Sequence, residues 1–443
     1  MNRRRFTRHL AASVGALSLG RVGRSEGALV APTLRVDGDF INRHLAELAE
    51  FGKNPYGGVS RVAYSDFDKK GRAWAMGVMR EAGLAVSIDP AGNIFGRRAG
   101  SDPSRKPIMF GSHIDSVPSG GNYDGDVGSL SAIEVARTLG VSKLVTKHPL
   151  EIVIFQNEEG GTVGSRALTG EVHAADLAVV SSSSKTIGDG IAFVGGELSK
   201  LATVQRAPGD VAAYVELHIE QGGYLDREKL DIGVVEGIVG IGQWEVTAEG
   251  MANHAGTTAM SDRRDSLLAT ARYIDMANRV ITSTPGRQVG TVGRVQAFPG
   301  APNVIAGRVV FTLEIRDLDQ AKVDGLYATV KAEGDAIGRA TGCTFSYTSL
   351  HHSRPAVCDE RVKQAIETTA RRLNLTTKHL PSGAGHDAQH MARLCPSGMI
   401  FVPSVGGISH APKEFTRPQD VVNGANVLLQ TILALDAMTW AAR

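Results

Sequence analysis

The stretch Gly111-Ser-His-Ile-Asp-Ser-Val-Pro-Ser-Gly-Gly-Asn-Tyr-Asp-Gly-Asp-Val-Gly128 carries His113, Asp115 and Asp124 in a glycine-rich loop. It follows the apolar run Pro107 to Phe110, which reads as a buried strand. Loops that leave the carboxyl ends of strands are where open α/β sheets bind their ligands. His113 and Asp115 are two apart, so in extended backbone they project to one side, and the Asp115 carboxylate can orient the His113 imidazole as a metal ligand. Asp124 follows a turn rich in Gly and Asn, where its two oxygens can be shared between two cations. The glycines let the loop backbone pass close to such ions. A polar surface loop is the alternative for this trio taken alone.

Working outward, Val127 to Leu139 has helical spacing and is closed by Gly140, and Leu150 to Phe155 is an apolar run broken only by Glu151. Strand, helix and strand in this order make a βαβ crossover. The second strand ends in Gln156-Asn157-Glu158-Glu159-Gly160-Gly161. Two adjacent carboxylates repel unless one is neutralised, which a bound cation achieves; a solvated acidic turn is the alternative. Before the quoted stretch, Asp39 to Gly52 and Ser65 to Gly83 read as helices, and Leu84 to Ile88 and Asn93 to Gly96 as short strands. Glu171 to Gln205 is an insert of weaker pattern, with the low-complexity run Ser181 to Ser184. Strand-like Ala213 to Leu217 then delivers His218 in Glu216-Leu-His-Ile-Glu-Gln-Gly222.

Val234 to Gly242 is rich in Gly and Val and marks a domain boundary. Beyond it come a strand (Ile241 to Ala248), a helix (Asp265 to Ile281), strands at Gly290 to Phe298 and Gly307 to Arg316, a helix (Asp319 to Ala340) and a strand (Cys343 to Leu350). That order makes a two-layer α+β unit inserted into the first domain. The first domain resumes near His352 with a helix (Arg361 to Leu373), a buried strand (Met399 to Val402) and a closing helix (Pro418 to Met438). His410 lies in the loop Gly406-Gly-Ile-Ser-His-Ala-Pro412 after that strand. The expected division is a leader over 1–34, the main domain over 35–235 and 351–443, and the insert over 236–350.

A chain of 443 residues with a net charge of +2 is long enough for more than one core, and no Lys/Arg stripe argues for nucleic acid. No apolar run is long enough to span a bilayer. Cys343, Cys358 and Cys395 support neither a disulfide framework nor a thiolate site. Arg3-Arg4-Arg5-Phe6 before the mildly apolar Leu10 to Leu19 resembles a twin-arginine export signal, which implies a periplasmic location. Arg21 and Arg24 follow closely without a clean A-x-A site, so a basic leader on a cytoplasmic enzyme is the alternative. His386-Asp387 reads as a supporting pair, His351, His352 and His390 as structural, and Trp244 and Trp440 as core.

His113, Asp124, Glu159, His218 and His410 all fall at or just beyond the ends of expected strands. Such a nitrogen and oxygen set around one central carboxylate suits two divalent cations about 3.5 to 4 Å apart. Imidazole and carboxylate without thiolate fit zinc, manganese, nickel or cobalt. Together with Glu158-Glu159, Asn253-His-Ala-Gly-Thr-Thr258, Gly383-Ala-Gly-His-Asp387 and Ser409-His-Ala-Pro412, this pattern resembles the hydantoinase/carbamoylase branch of the dinuclear-metal aminoacylase and carboxypeptidase superfamily. The resemblance covers nearly the whole chain after residue 35. Members include N-carbamoyl-L-amino acid hydrolases, β-ureidopropionases and allantoate amidohydrolases. His218 separates this branch from the peptidase branch, where an acidic ligand is expected.

The resemblance implies an α/β fold: a mixed-sheet catalytic domain with helices on both faces, interrupted by a smaller α+β lid and dimerisation domain. It implies two divalent metal ions per subunit, one held by His113, Asp124 and His218 and the other by Asp124, Glu159 and His410. Glu158 is then the general base and Asp115 the support of His113, while His254 of the lid reaches the active site. Gln221, Asn303, Arg316 and Gly407 match substrate contacts. The implied reaction is hydrolysis of a linear amide or ureido C–N bond in a small substrate with a free carboxylate, by a homodimer. An aminoacylase or dipeptidase, and a binding protein with a dead site, are the alternatives. Ala259 stands where the family usually has Pro and Ala411 where it often has Asn, and neither is a ligand position.

Overall fold

In a computed structural model, which describes residues 34–440, the run before the quoted loop forms the strand Ile108–His113, buried along its whole length. It lies between Leu150–Phe155 and Ala213–Ile219 and is parallel to both. Ser397–Val402 extends this parallel set beyond Ala213–Ile219. The outer strands make the sheet mixed, because Ala85–Ile88, Ile94–Arg98, Ile232–Ile238 and Ala356–Val357 each run antiparallel to a neighbour. Continuous burial along the central strands is what a sheet covered on both faces requires. The helices Asp126–Val141 and Pro418–Asp436 cover one face. On the other, Val163–Leu168 and Asp387–Leu394 pack over Met109, Phe155, Tyr214 and Phe401.

Ile108–His113, Asp126–Val141 and Leu150–Phe155 form the expected crossover, its two strands adjacent and parallel. The four parallel strands end on one edge of the sheet, so the loops after them gather there. One point of that packing is unusually close. A Cβ added to Gly128 would lie 2.0 Å from the Leu217 carbonyl oxygen, so the helix rests directly on the strand that carries His218.

The inserted unit is an antiparallel sheet in the order Val295–Phe298, Arg308–Asp317, Gly240–Glu249, Thr344–Ser353, with Val289–Thr291 also pairing Arg308–Asp317. Alternate residues such as Trp244, Val246, Phe311 and Leu313 are buried on one face, as a period-two pattern dictates. The helices Ser266–Ser283 and Gln320–Thr341 cover that face, and Trp244 stacks on Tyr327 with ring centroids 3.9 Å apart. Asp265 and Asp319 cap these two helices, accepting from first-turn N–H groups.

Several elements differ from expectation. His113 and His218 belong to their strands rather than to the loops that follow, His113 as the last residue paired with Phe155 and His218 paired with Phe401 one residue before the end. Pairing with Val153 and Ile154 carries Gly111 and Ser112 through a stretch whose composition reads as loop. Gly290 to Phe298 is two short strands, Val289–Thr291 and Val295–Phe298. The helix expected to close at Gly140 runs to Val141, with Ser142 as its cap. The Gly/Val-rich stretch Val234 to Gly242 begins inside the strand Ile232–Ile238 of the large sheet, and Gly240–Glu249 already belongs to the small one. The chain thus leaves the large sheet at Val239 and returns after Ser353, so divisions at 235/236 and 350/351 fall within strands. The insert Glu171 to Gln205 holds only short helical turns, Ala174–Leu177, Ile187–Phe193 and Leu198–Val204. The Arg3-Arg4-Arg5-Phe6 leader lies outside the described residues, among which no helix is long and apolar enough to cross a membrane.

Candidate metal centre and active site

His113 ends its strand, and His218 lies one residue before the end of Ala213–Ile219. Nδ1 of His113 is 3.0 Å from the Asp115 carbonyl oxygen, and Nδ1 of His218 is 2.9 Å from that of Ile219. A carbonyl can only accept, so each Nδ1 carries a hydrogen, and Nε2 is the nitrogen each ring can turn to a cation. Both Nε2 atoms face Asp124 Oδ1, at 3.6 Å for His113 and 3.0 Å for His218. The second oxygen, Oδ2, is 3.2 Å from His410 Nε2, which is itself 3.6 Å from Glu159 Oε2. Two groups result, His113 with Asp124 and His218, and Asp124 with Glu159 and His410, the ligand atoms of each within 4.8 Å of one another. Asp124 is common to both, as the shared-carboxylate reading requires.

The chemistry of this site fits divalent cations. His113 Nε2 is buried without a hydrogen-bond partner. The donors are imidazole nitrogens and carboxylate oxygens with no thiolate. Burial pushes Glu158 well above the usual carboxylate range, against the attraction of His113, and Asp387, Glu159 and Asp115 add to the rise. Burial, then repulsion from Asp124, likewise brings Glu159 up to about 7. The hydrogen bond to Asp124 lifts His410 to about 9. For His113 burial opposes protonation, and the carboxylates of Glu158, Asp124 and Asp115 outweigh it. Protons held in this way are what a bound cation displaces.

Loop geometry explains the proximity. Gly125 has φ of 68°, and a Cβ there would lie 2.4 Å from Cε1 of His113, so only glycine lets the Asp124 loop rest on that ring. Asp115 acts differently from expectation. Its main-chain oxygen takes the His113 Nδ1 hydrogen, its carboxylate being 3.8 Å from that nitrogen. The carboxylate instead accepts from the N–H groups of Glu158 and Glu159, each at 3.2 Å. Asp115 therefore supports the acidic turn with its side chain and the imidazole with its backbone.

Glu414, which the sequence did not single out, ties the ligand loops together. It accepts from Tyr123 N (2.9 Å), Asp124 N (3.1 Å), Ser409 Oγ (2.8 Å) and His410 N (3.2 Å). A lone acid after Lys413 looks like a surface charge; only its nearness to His410 could have signalled otherwise.

A cavity of about 1370 Å³ opens above Asp124, Glu158 and His218, and Arg316 and His351 of the inserted unit also line it. Gln221 lies at its floor, with Nε2 donating to Asp124 Oδ2 at 2.7 Å. Arg316 lines it with Nε held by Glu314 at 2.7 Å and Nη1 by the Gly383 carbonyl at 2.7 Å. Asp317, the next residue, pairs with Lys322 rather than with Arg316. His254 and Asn303 are together but elsewhere. His254 is on the strand Asn253–His254 and Asn303 immediately precedes the paired strand Val304–Ile305, accepting from Ala255 N at 2.9 Å; both are exposed, and neither lines the cavity. Nδ1 of His254 accepts from Gly256 N at 3.0 Å. Gly407 packs against Gly223, where a Cβ would meet the Gly223 nitrogen at 2.8 Å, and is also off the cavity. His386 is buried under the site, its ring edge-on to His218 with centroids 4.5 Å apart. His351, His352 and His390 read as structural in sequence, yet all three line the cavity wall.

Comparison with known proteins follows the same lines. Residues 109–434 match the family model described as peptidase family M20/M25/M40. An N-carbamoyl-L-amino acid amidohydrolase of Geobacillus stearothermophilus is 38% identical over 405 residues, which is 90% of this chain and 99% of that protein. An allantoate amidohydrolase of Bacillus subtilis is 34% identical over 401 residues, covering 89% of this chain and 97% of that one. Among solved structures, a hydantoinase/carbamoylase family amidase from Burkholderia multivorans superposes with a TM-score of 0.86 at 37% identity, over 92% of this chain and 100% of that chain. By that match over most of its length and the shared sheet and inserted unit, the chain belongs to the M20/M25/M40 peptidase family, within its hydantoinase/carbamoylase group.

Proposed function

We propose that this protein hydrolyses a linear ureido C–N bond in a small substrate with a free carboxylate, an N-carbamoyl-L-amino acid or an allantoate-like compound, releasing ammonia and carbon dioxide. The observation that carries this reading is Asp124, shared between two imidazole and carboxylate groups beside Glu158, on the floor of a cavity also lined by Arg316. Relatives of this chain are named for hydrolysis of N-carbamoyl-L-amino acids and of allantoate, both reactions at non-peptide C–N bonds. His113, Asp124 and His218 would hold one divalent cation and Asp124, Glu159 and His410 a second, with zinc, manganese, nickel and cobalt all suited to the donors. Bound there, such ions supply Lewis-acid polarisation and lower the pKa of water toward about 7.

The residues of the chain do the rest. Glu158 takes the proton of the attacking water and passes it to the departing nitrogen, a role its raised proton affinity suits. Asp115 keeps Glu158 in place through the turn's N–H groups. His254 and Asn303 come to the substrate by movement of the inserted unit or from a second subunit. Dimerisation through that unit is part of the proposal, since its outer strands Val295–Phe298 and Thr344–Ser353 each leave an edge a partner can extend. Sedimentation is expected to find an active dimer; a fully active monomer refutes this part.

The test is a substrate panel. Ammonia release from N-carbamoyl amino acids and allantoate is compared with amine release from N-acetyl amino acids and dipeptides. Ammonia release alone is expected. Amine release would support the aminoacylase reading, and neither product would mean a binding protein.

Arg316 is the expected reader of the substrate carboxylate. Two of its nitrogens are fixed by Glu314 and Gly383, which pre-orients the guanidinium at the cavity wall. Removing a charge partner from such a contact costs about 2 kcal/mol or more. Arg316→Ala is therefore expected to erase most of the preference in kcat/KM for a free carboxylate over its amide. If the preference survives, another group reads the carboxylate.

A further inference from the structure

We propose that Thr162, His390 and Glu171 form a positioning relay that holds the Glu158–Glu159 turn in its working shape. The inference rests on Glu158 acting as the base and Glu159 as a ligand. Thr162 occupies the N-cap position of the helix Val163–Leu168, where a threonine hydroxyl ordinarily accepts from the first N–H groups of the helix. It makes no such bond here. Instead its Oγ1 lies 2.9 Å from His390 Nε2, and His390 Nδ1 lies 2.8 Å from Glu171 Oε2. A carboxylate accepts, so Nδ1 carries the hydrogen, Nε2 accepts and the Thr162 hydroxyl donates. Arg393 pairs with the other Glu171 oxygen, and Arg166 donates to the Glu171 carbonyl at 2.7 Å.

What the relay holds is a strained residue. Thr162 has φ of 51° and ψ of 37°, a left-handed conformation that β-branched residues disfavour. Such conformations persist only where the surroundings over-determine them, and they gather at working sites. In this conformation the Thr162 N–H donates to the Glu158 carbonyl at 2.7 Å, and the Gly161 N–H reaches the same oxygen at 3.0 Å. The acidic turn is thus pinned twice, by the Asp115 carboxylate on its N–H groups and by Thr162 on its carbonyl. Glycine would take this conformation without strain. What threonine adds is the hydroxyl, and the hydroxyl is spent on His390.

The order of hydroxyl, imidazole and carboxylate is also that of a nucleophilic triad. The N–H groups of Thr162 and Val163 that would serve an oxyanion are committed, however, to the Glu158 and Asn157 carbonyls. Positioning, rather than acyl transfer, is what the geometry serves.

The experiment compares Thr162→Ser, Thr162→Val, Thr162→Gly and His390→Ala in the full-length chain. It measures kcat and KM on the substrate given by the panel, cation retention on dialysis, and thermal unfolding of the metal-free protein. Thr162→Ser is expected within about twofold of wild type. Losing one hydrogen bond at the turn should lower kcat about tenfold in Thr162→Val, Thr162→Gly and His390→Ala, with KM unchanged and cations shed faster. Thr162→Gly should show these losses with a Tm at or above that of wild type, which a merely structural role would not produce. The proposal is overturned if Thr162→Gly keeps wild-type kcat and cation retention, or if Thr162→Ser is no better than Thr162→Val. Glu158→Gln on the same substrate separates the two levels. An active Glu158→Gln removes the base, whereas an inactive one beside a fully active Thr162→Gly removes only the relay.

Discussion

Glu158→Gln is expected to keep its cations and its KM yet lose about a thousandfold in kcat. General acid–base groups contribute on the order of 10² to 10⁴ in rate, and Glu158 is asked to act twice, on the water and on the leaving nitrogen. Glutamine has the shape of glutamate but cannot accept and return a proton. The side chain is buried beside the site with Oε2 3.7 Å from His113 Nε2, and it belongs to neither three-residue ligand group. Turnover and cation content, measured on one preparation, distinguish the possible roles. Loss of a cation would make Glu158 a ligand, and wild-type turnover would remove it as the base.

Asp124→Asn is expected to have the larger effect on cation binding. Both ligand groups pass through this one carboxylate, Oδ1 toward His113 and His218 and Oδ2 toward His410. An amide offers one oxygen and no charge, so both groups are broken by a change that alters almost no volume. Cation content should fall below one per chain and activity to background. His410→Ala touches only the second group and should retain one cation. Elemental analysis of the two variants side by side tests the sharing directly, since two independent sites would leave Asp124→Asn with one ion.

The candidate ligand residues that the structure brings together could be picked out in the sequence because most of them lie at or after an apolar run that fixes a strand. His113 ends one strand of the crossover and Glu159 follows the other, while His218 lies in the next parallel strand and His410 in the loop after the fourth. What stayed hidden depends on contacts between distant segments. Glu414 earns its place through four donors on two loops, and nothing in Pro412-Lys-Glu-Phe415 announces that. His390 bonds to Thr162 and Glu171, both more than two hundred positions away in sequence. Asp115 was placed next to the right imidazole with the wrong atom, because the backbone turns out of the strand and presents its carbonyl first. The strand Thr377–Ser382 was missed for a local reason: Lys378, His379 and Pro381 break the apolar pattern, and the strand lies outside the four-strand parallel core, paired to Ile232–Ile238.

Two cations working together around Asp124 are at the centre of the proposed function, and one titration reaches them most directly. Metal-free protein is titrated with a single divalent cation, manganese or cobalt, while ammonia release from an N-carbamoyl-L-amino acid is followed. Activity is predicted to rise until two equivalents per chain are bound and then to stay level. Full activity at one equivalent, or without added metal, would contradict a two-cation site.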